Sequence, residues 1–233
     1  MRKILLFFCL SLLLSCSDNW DYSTASGPNN WGDLKEEYKF CKIGYNQSPI
    51  DVKESDFSNN ELKFFYNKSD IEKQFKNHAM IIEFDSRDFI LRGKKKYFIR
   101  RAEFHHPSEH LIDGVAHSLE MQIYHKSDDE QWLAIAIFLE VGKENPEFKK
   151  LIEFFSNQKK EGVVDLSKIV KQHDKIFFYD GSLTTPPCTE GMKWYVLKTA
   201  IEISKEQMNQ IIKSTISVKT NARPVQKFNP EKY

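Results

Sequence analysis

Strand-length apolar segments recur between residues 61 and 141, and they constrain the fold more than any other feature of the chain. Glu61 to Tyr66, Ala79 to Phe84, Phe89 to Leu91, Lys96 to Glu103 and Leu119 to His125 each have strand length and strand composition. Trp132 to Val141 is an almost unbroken apolar run, as a strand covered on both faces carries. Arg92-Gly93 and the lysines after it suit a hairpin connection. Helical spacing comes mainly later. Phe148, Leu151, Ile152 and Phe155 share one side of a candidate helix over Asn145 to Gln158. A second runs from Ser204 to Lys213, where Ser204 can cap and Gln207 follows three residues on. Upstream, Leu34 to Phe40 is a short helical candidate and Gln47 to Val52 an extended segment. Many strands with few peripheral helices predict an α+β domain that is mainly β.

The N-terminus reads as a targeting segment. Arg2 and Lys3 precede an apolar stretch from Ile4 to Leu14, about eleven residues and too short to span a bilayer. It ends in Leu13-Leu14-Ser15-Cys16, which resembles the cleavage box of bacterial lipoproteins. Residues 1–15 are then a signal peptide, and Cys16 is the first mature residue and carries lipid. The protein is exported and anchored to a bacterial membrane, in the periplasm or at the outer membrane. The alternative is an ordinary signal peptide cut nearby, with Cys16 incidental. Residues 19–233 remain as one domain, since no repeat or low-complexity stretch marks a second. A net charge of +1 gives no global argument for a nucleic-acid partner, and none is predicted.

Of the four cysteines, Cys9 lies in the leader and Cys16 is the proposed lipid site. Cys41 and Cys188 are left. In an oxidising compartment two cysteines read as one disulfide, the alternative being two separate buried thiols.

Four segments resemble the α-carbonic anhydrases, in compatible order and spacing. They are Trp20 to Trp31 with Asn46-Gln47-Ser48-Pro49-Ile50-Asp51; Pro107-Ser108-Glu109-His110 with Asp113-Gly114 and Glu120; Gly181-Ser182-Leu183-Thr184-Thr185-Pro186-Pro187-Cys188; and Asn221 to Gln226 with Arg223-Pro224. Cys41 and Cys188 also stand where bacterial members place their disulfide. The resemblance implies a large twisted, mostly antiparallel sheet of about ten strands. It also implies a zinc site on the central strands, where three histidines hold the metal and its hydroxide attacks carbon dioxide. Neutral imidazoles leave the metal close to +2 and lower the bound water's pKa to about 7.

Carried over residue by residue, the zinc triad is incomplete. Anchoring on Tyr97 and Pro107 puts Glu103 and His105 at the first two ligand positions, and His106 falls on the opposite face. The third position, two residues after Glu120, is Gln122, and His125 points away. The chain is therefore similar to carbonic-anhydrase-related members that lack the full triad. Thr184 matches the threonine that accepts from the zinc hydroxide, Glu109 the carboxylate orienting it, and His78 the proton shuttle. Leu183 and Trp194 match the apolar substrate wall. Tyr124 replaces a small valine there, and Arg101 replaces a glutamine that supports the first ligand.

Two arrangements are open for Glu103, His105 and Gln122. One is a rearranged, weaker zinc site. The other is metal-free and internally paired, with Arg101 and Glu103 on one strand face offsetting each other's charge. Thr184 with Glu109 has a structural reading as a buried hydrogen-bond pair, and His78 as an exposed cleft histidine. Arg92, Lys94, Lys95, Lys96, Arg100 and Arg101 form the densest basic region, either a solvated hairpin or a patch for an anionic glycan. The expected function is a surface-anchored binding protein without carbon dioxide hydratase activity. The alternative is an active carbonate dehydratase with an altered metal shell. The anchor has a direct check. Cys16→Ser should move the protein from the membrane to the soluble fraction, and unchanged fractionation would refute lipidation at that residue.

Overall fold

The computed structural model describes residues 20–59, 62–76, 78–170 and 175–228. Cys16 and the leader over residues 1–15 lie outside the described residues. Among the described residues no helix is long and apolar enough to cross a membrane.

Twelve strands form the main sheet. Its order across the sheet is Glu161–Asp165, Lys68–Lys76, Ala79–Asp85, Lys95–His105, Leu119–Lys126, Trp132–Val141, Glu190–Leu197, Lys175–Ser182 and Ser58–Asn59. Lys63–Phe65 pairs with Phe89–Arg92, which pairs with Lys95–His105, and Ile201–Ile203 runs beside the end of Trp132–Val141. Trp132–Val141 pairs in parallel with Glu190–Leu197 and Ile201–Ile203; the other pairings of this sheet are antiparallel. The expected mostly antiparallel α+β architecture is the one observed.

Six strands of this sheet escaped the sequence reading, namely Ser58–Asn59, Lys68–Lys76, Glu161–Asp165, Lys175–Ser182, Glu190–Leu197 and Ile201–Ile203, and the three longest show two different reasons. Lys68–Lys76 is charged along its length and buries only Ser69 and Ile71. Lys175–Ser182 and Glu190–Leu197 carry contiguous apolar residues, because the sheet is covered on both faces there. The helical candidate over Leu34 to Phe40 is broken into three pieces, Trp31–Leu34, Glu36–Tyr38 and Phe40–Ile43. The two later helices form as expected. Pro146–Ser156 is capped by Asn145, and Lys205–Thr215 opens on a capping box in which Ser204 and Gln207 satisfy each other's backbone N–H.

Side chains alternate between two cores. From Trp132–Val141, Leu133, Ile135 and Ile137 enter the larger core under the two helices, while Ala134, Ala136 and Phe138 enter the smaller one. Leu119, Met121 and Ile123 likewise face the larger core, so Glu120, Gln122 and Tyr124 share the opposite face. The neighbouring strand reaches that face by an irregularity. Tyr124 pairs with Arg101 but His125 pairs with Ile99, so Arg100 is an extra residue. Tyr97 and Ile99 before the bulge, and Ala102 and Phe104 after it, all face the larger core. A regular strand would have sent Arg101, Glu103 and His105 into that core with Ile99; the bulge turns them to the other face.

Cys41 and Cys188 are bonded across 147 residues of sequence. The bond ties the segment holding Trp20, Trp31 and Tyr38 to the turn after Lys175–Ser182. Arg223 reinforces the same junction, donating to Gln47 Oε1, to the Ser48 carbonyl and to the Cys41 carbonyl. Burial lowers its guanidinium pKa to about 10. Closing a loop of 147 residues restricts the unfolded chain by about 4 to 5 kcal/mol on chain entropy. Cys41→Ser with Cys188→Ser should therefore lower the denaturant midpoint markedly without changing far-ultraviolet circular dichroism. An unchanged midpoint would show that the bond adds nothing.

Candidate functional site

Two adjacent strands build a two-by-three array on the face turned away from the larger core. Arg101 stands opposite Tyr124, Glu103 opposite Gln122, and His105 opposite Glu120. Glu103, His105, Glu120, Gln122 and Tyr124 are all buried. His106 lies outside the array, with Nδ1 against the Ser118 carbonyl. His125 is on the other face, its Nε2 at 2.8 Å from the Tyr66 hydroxyl, and burial lowers its pKa to about 3.

Gln122 is the centre of the array and every polar atom of its amide is engaged. Nε2 donates to Glu109 Oε2 and to Glu120 Oε1, each at 2.8 Å. Oε1 accepts from the Tyr124 hydroxyl at 2.5 Å. The two carboxylates fix which end of the amide is nitrogen, since an oxygen there would face two acceptors. Glu120 also accepts from the backbone N–H groups of Glu109 and His110 and from His110 Nδ1. Burial opposes its charge, but His110 and those backbone donors hold its pKa below the ordinary carboxylate value. Glu109 accepts from Arg223 N and Gln122. Burial pushes its carboxyl up.

His105 is held from behind, Nδ1 donating to the Asn221 carbonyl at 2.8 Å and lying 3.5 Å from Glu109 Oε1. Burial works against an imidazolium, but Glu109 and Glu103 outweigh it and raise the His105 pKa. Its Nε2 is buried without a hydrogen-bond partner. Arg101 and Glu103 share a face at 3.9 Å, an ion pair beyond hydrogen-bond length. The Arg101 guanidinium stacks on the Tyr124 ring at 4.6 Å from its centroid. Tyr124 in turn packs edge-on against Trp194, and burial pushes its phenol well above the ordinary value.

These groups floor a cleft of about 330 Å³, lined by Arg101, Glu103 and His105 with Leu183, Pro186 and Pro187 on one side and Trp20, Tyr22 and Tyr38 also in its wall. Trp194 is fully buried, its indole N–H donating to the Ser182 carbonyl. His78 is half-buried and meets Trp20 and Tyr22 edge-on. Arg223 N and Gln122 donate to the Glu109 oxygens. Thr184 Oγ1 is buried without a well-aligned hydrogen-bond partner, but its hydroxyl lies near enough to Glu109 to favour the carboxylate. Asn221 and Arg223 lay in a matched segment, but nothing in their spacing gave away their contacts with His105 and Glu109.

Much of the basic hairpin is occupied by neighbouring side chains. Lys95 pairs with Asp129 and Gln131, Arg92 bonds the Tyr195 hydroxyl and stacks on Phe178, and Lys96 lies over Phe89.

Zinc needs three protein donors with free lone pairs and a fourth open position. His105 Nε2 is free to serve. Gln122 is a poor donor, because its nitrogen carries no available lone pair and its neutral amide oxygen, already accepting from Tyr124, is a weak zinc ligand. Glu103 adds one anionic donor, which leaves the set one short. Among the described residues no group of three His, Cys, Asp or Glu is placed to hold a metal ion. The residues present do not fit a catalytic zinc.

A family model described as eukaryotic-type carbonic anhydrase matches residues 26–232. Dioscorin dioA3 from Dioscorea japonica is 33% identical over 241 residues, spanning 97% of this chain and 89% of the relative. Among solved structures, the complex of α-carbonic anhydrase from Thermovibrio ammonificans with the inhibitor sulfanilamide is similar at TM-score 0.82 and 32% identity, over 91% of this chain and 96% of that one. Dioscorin complexed with ascorbate is similar at TM-score 0.82 and 30% identity, over 90% and 94%. The likeness spans the whole described sheet, and the chain belongs to the eukaryotic-type carbonic anhydrase family.

Proposed function

We propose that this member of the family does not hydrate carbon dioxide and is an exported, membrane-anchored binding protein that takes its ligand in the cleft. The observation that carries the reading is Gln122, whose amide N–H groups are both given to Glu109 and Glu120 and whose oxygen accepts from Tyr124. In the family that position supplies an imidazole to zinc. Here the side chain does the opposite job, donating hydrogen bonds to two buried carboxylates. A metal arriving at His105 would have to break that arrangement, and the Glu103 carboxylate would lower its effective charge. Its water would then be less acidic and its hydroxide scarcer at neutral pH.

A binding role is supported by a relative whose structure is described as dioscorin complexed with ascorbate, a small polar ligand on this scaffold. An anionic glycan on the basic hairpin is less favoured, because Arg92, Lys95 and Lys96 already have partners. One observation favours the second reading, a dehydratase with an altered shell. His105 Nε2 and Thr184 Oγ1 are both buried and unpartnered, and they belong to the residues the family uses around its metal-bound hydroxide.

Stopped-flow hydration with zinc in excess separates the two. The unmutated protein should show no rate above buffer. A value of kcat/KM in the enzymatic range, about 10⁴ to 10⁸ M⁻¹s⁻¹, abolished by a chelator or a sulfonamide, would overturn the reading.

A further inference from the structure

We infer that Phe40, Ile43 and Tyr45 form a lipid-contacting surface, on which the domain rests against the bilayer that holds its acylated Cys16. This contact rests on the reading of the protein as membrane-anchored and gives the domain a fixed side toward the membrane.

Phe40 is 42% exposed, Ile43 67% and Tyr45 56%. Single exposed apolar side chains are ordinary on a protein surface, but three large ones within six positions form a patch. Phe40 and Ile43 stand one turn apart on the short helix Phe40–Ile43, while Cys41 between them is buried. The helix therefore turns its cysteine to the body and its apolar side outward. It is also rigidly mounted. Cys41 is bonded to Cys188, and its carbonyl accepts from Arg223. Trp31–Leu34 lies so close beneath it that a Cβ at Gly32 would come within 2.3 Å of the Lys42 Cβ. Lys42 Nζ bonds Asp33 Oδ1 across the same contact at 2.7 Å. A patch held in fixed shape loses little conformational freedom on docking.

The position of the anchor selects the occupant. Cys16 precedes Trp20 by four residues, which span at most about 14 Å when fully extended. Trp20 packs edge-on against Trp31, with ring centroids 5.2 Å apart, in the same buried cluster as Tyr38 and Cys41. The acylated residue thus lies within short reach of the patch, and the tether keeps the domain at high effective concentration at the lipid surface. A contact too weak to draw the domain from solution is then strong enough to orient it. Charge plays no part in the choice, since over residues 31–45 Asp33, Glu36 and Glu37 balance Lys35, Lys39 and Lys42. Phe40 and Ile43 suit the acyl boundary and Tyr45 the headgroup level. Trp20 and Tyr38 also line the cleft, so docking on this side keeps that wall of the cleft beside the bilayer.

Quenching by brominated lipid tests the contact on the acylated protein in phosphatidylcholine vesicles, once mass spectrometry has established the lipid on Cys16. Ile43→Trp should add emission that dibrominated phosphatidylcholine removes. Val163→Trp, at an exposed position on the edge strand Glu161–Asp165, should add emission that it leaves intact. Added phosphatidylglycerol and raised salt should leave the quenching unchanged, because the contact is apolar. Ile43→Asp should speed amide exchange over Phe40–Ile43 on vesicles without releasing the protein, which the acyl chain still holds. No quenching at Ile43→Trp, equal quenching at both positions, or quenching that requires anionic lipid would overturn the contact. Dimers in detergent that Ile43→Asp dissociates, with no quenching on vesicles, would assign the patch to a second copy and overturn it as well. A chain without lipid on Cys16 would sink the anchor and the contact together, whereas an acylated chain with Ile43→Trp unquenched would sink the contact alone.

Discussion

Buried carboxylates have to be neutralised or hydrogen-bonded, and in this protein that requirement governs the site. Glu103 and Glu120 are buried on the two central strands, and Glu109 is buried in the segment that follows the first of them, within hydrogen-bond reach of Gln122. Here the work falls to neutral donors and to a few cations. Glu120 collects two backbone N–H groups, His110 and the Gln122 amide. Glu109 collects Arg223 N and the other Gln122 hydrogen. A carboxylate with several donors can stay charged in a dry interior, where one without them would protonate.

Gln122 also explains why its neighbours look as they do. Its oxygen, once the nitrogen is committed to two carboxylates, needs a donor from the far side, and Tyr124 provides one. Tyr124 is large, and it fills the space between Trp194 and Arg101, whose guanidinium lies on its ring. Arg101 is then positioned beside Glu103. Arg101, Glu103, Gln122 and Tyr124 thus face one another pairwise across two strands, and replacing one of them alone would leave its partners unmet.

Much of this was legible in the chain. Tyr97 and Pro107 fixed the register of Glu103 and His105, and a period of two placed Gln122 beside Glu120 and Tyr124. The Ser204–Gln207 capping box and the apolar run Trp132 to Val141 were also readable, because local chemistry determines them. The Arg100 bulge was not. Its extra residue reverses the faces of the strand, and nothing in the alternation of Lys95 to His105 marks which residue is unpaired. Lys68–Lys76 was hidden for another reason: a strand that buries two side chains leaves almost no apolar signal. The hydrogen bonds of Asn221 and Arg223 join residues more than a hundred positions apart, so no local pattern reports them.

Zinc stoichiometry tests the central claim most directly. The full chain, dialysed against excess zinc chloride and then desalted, should carry no stoichiometric metal, while Glu103→His with Gln122→His should retain it. One zinc per chain in the unmutated protein would mean that Gln122 gives up its carboxylate and tyrosine partners to the metal. That result would contradict the hydrogen-bonded network on which the account stands.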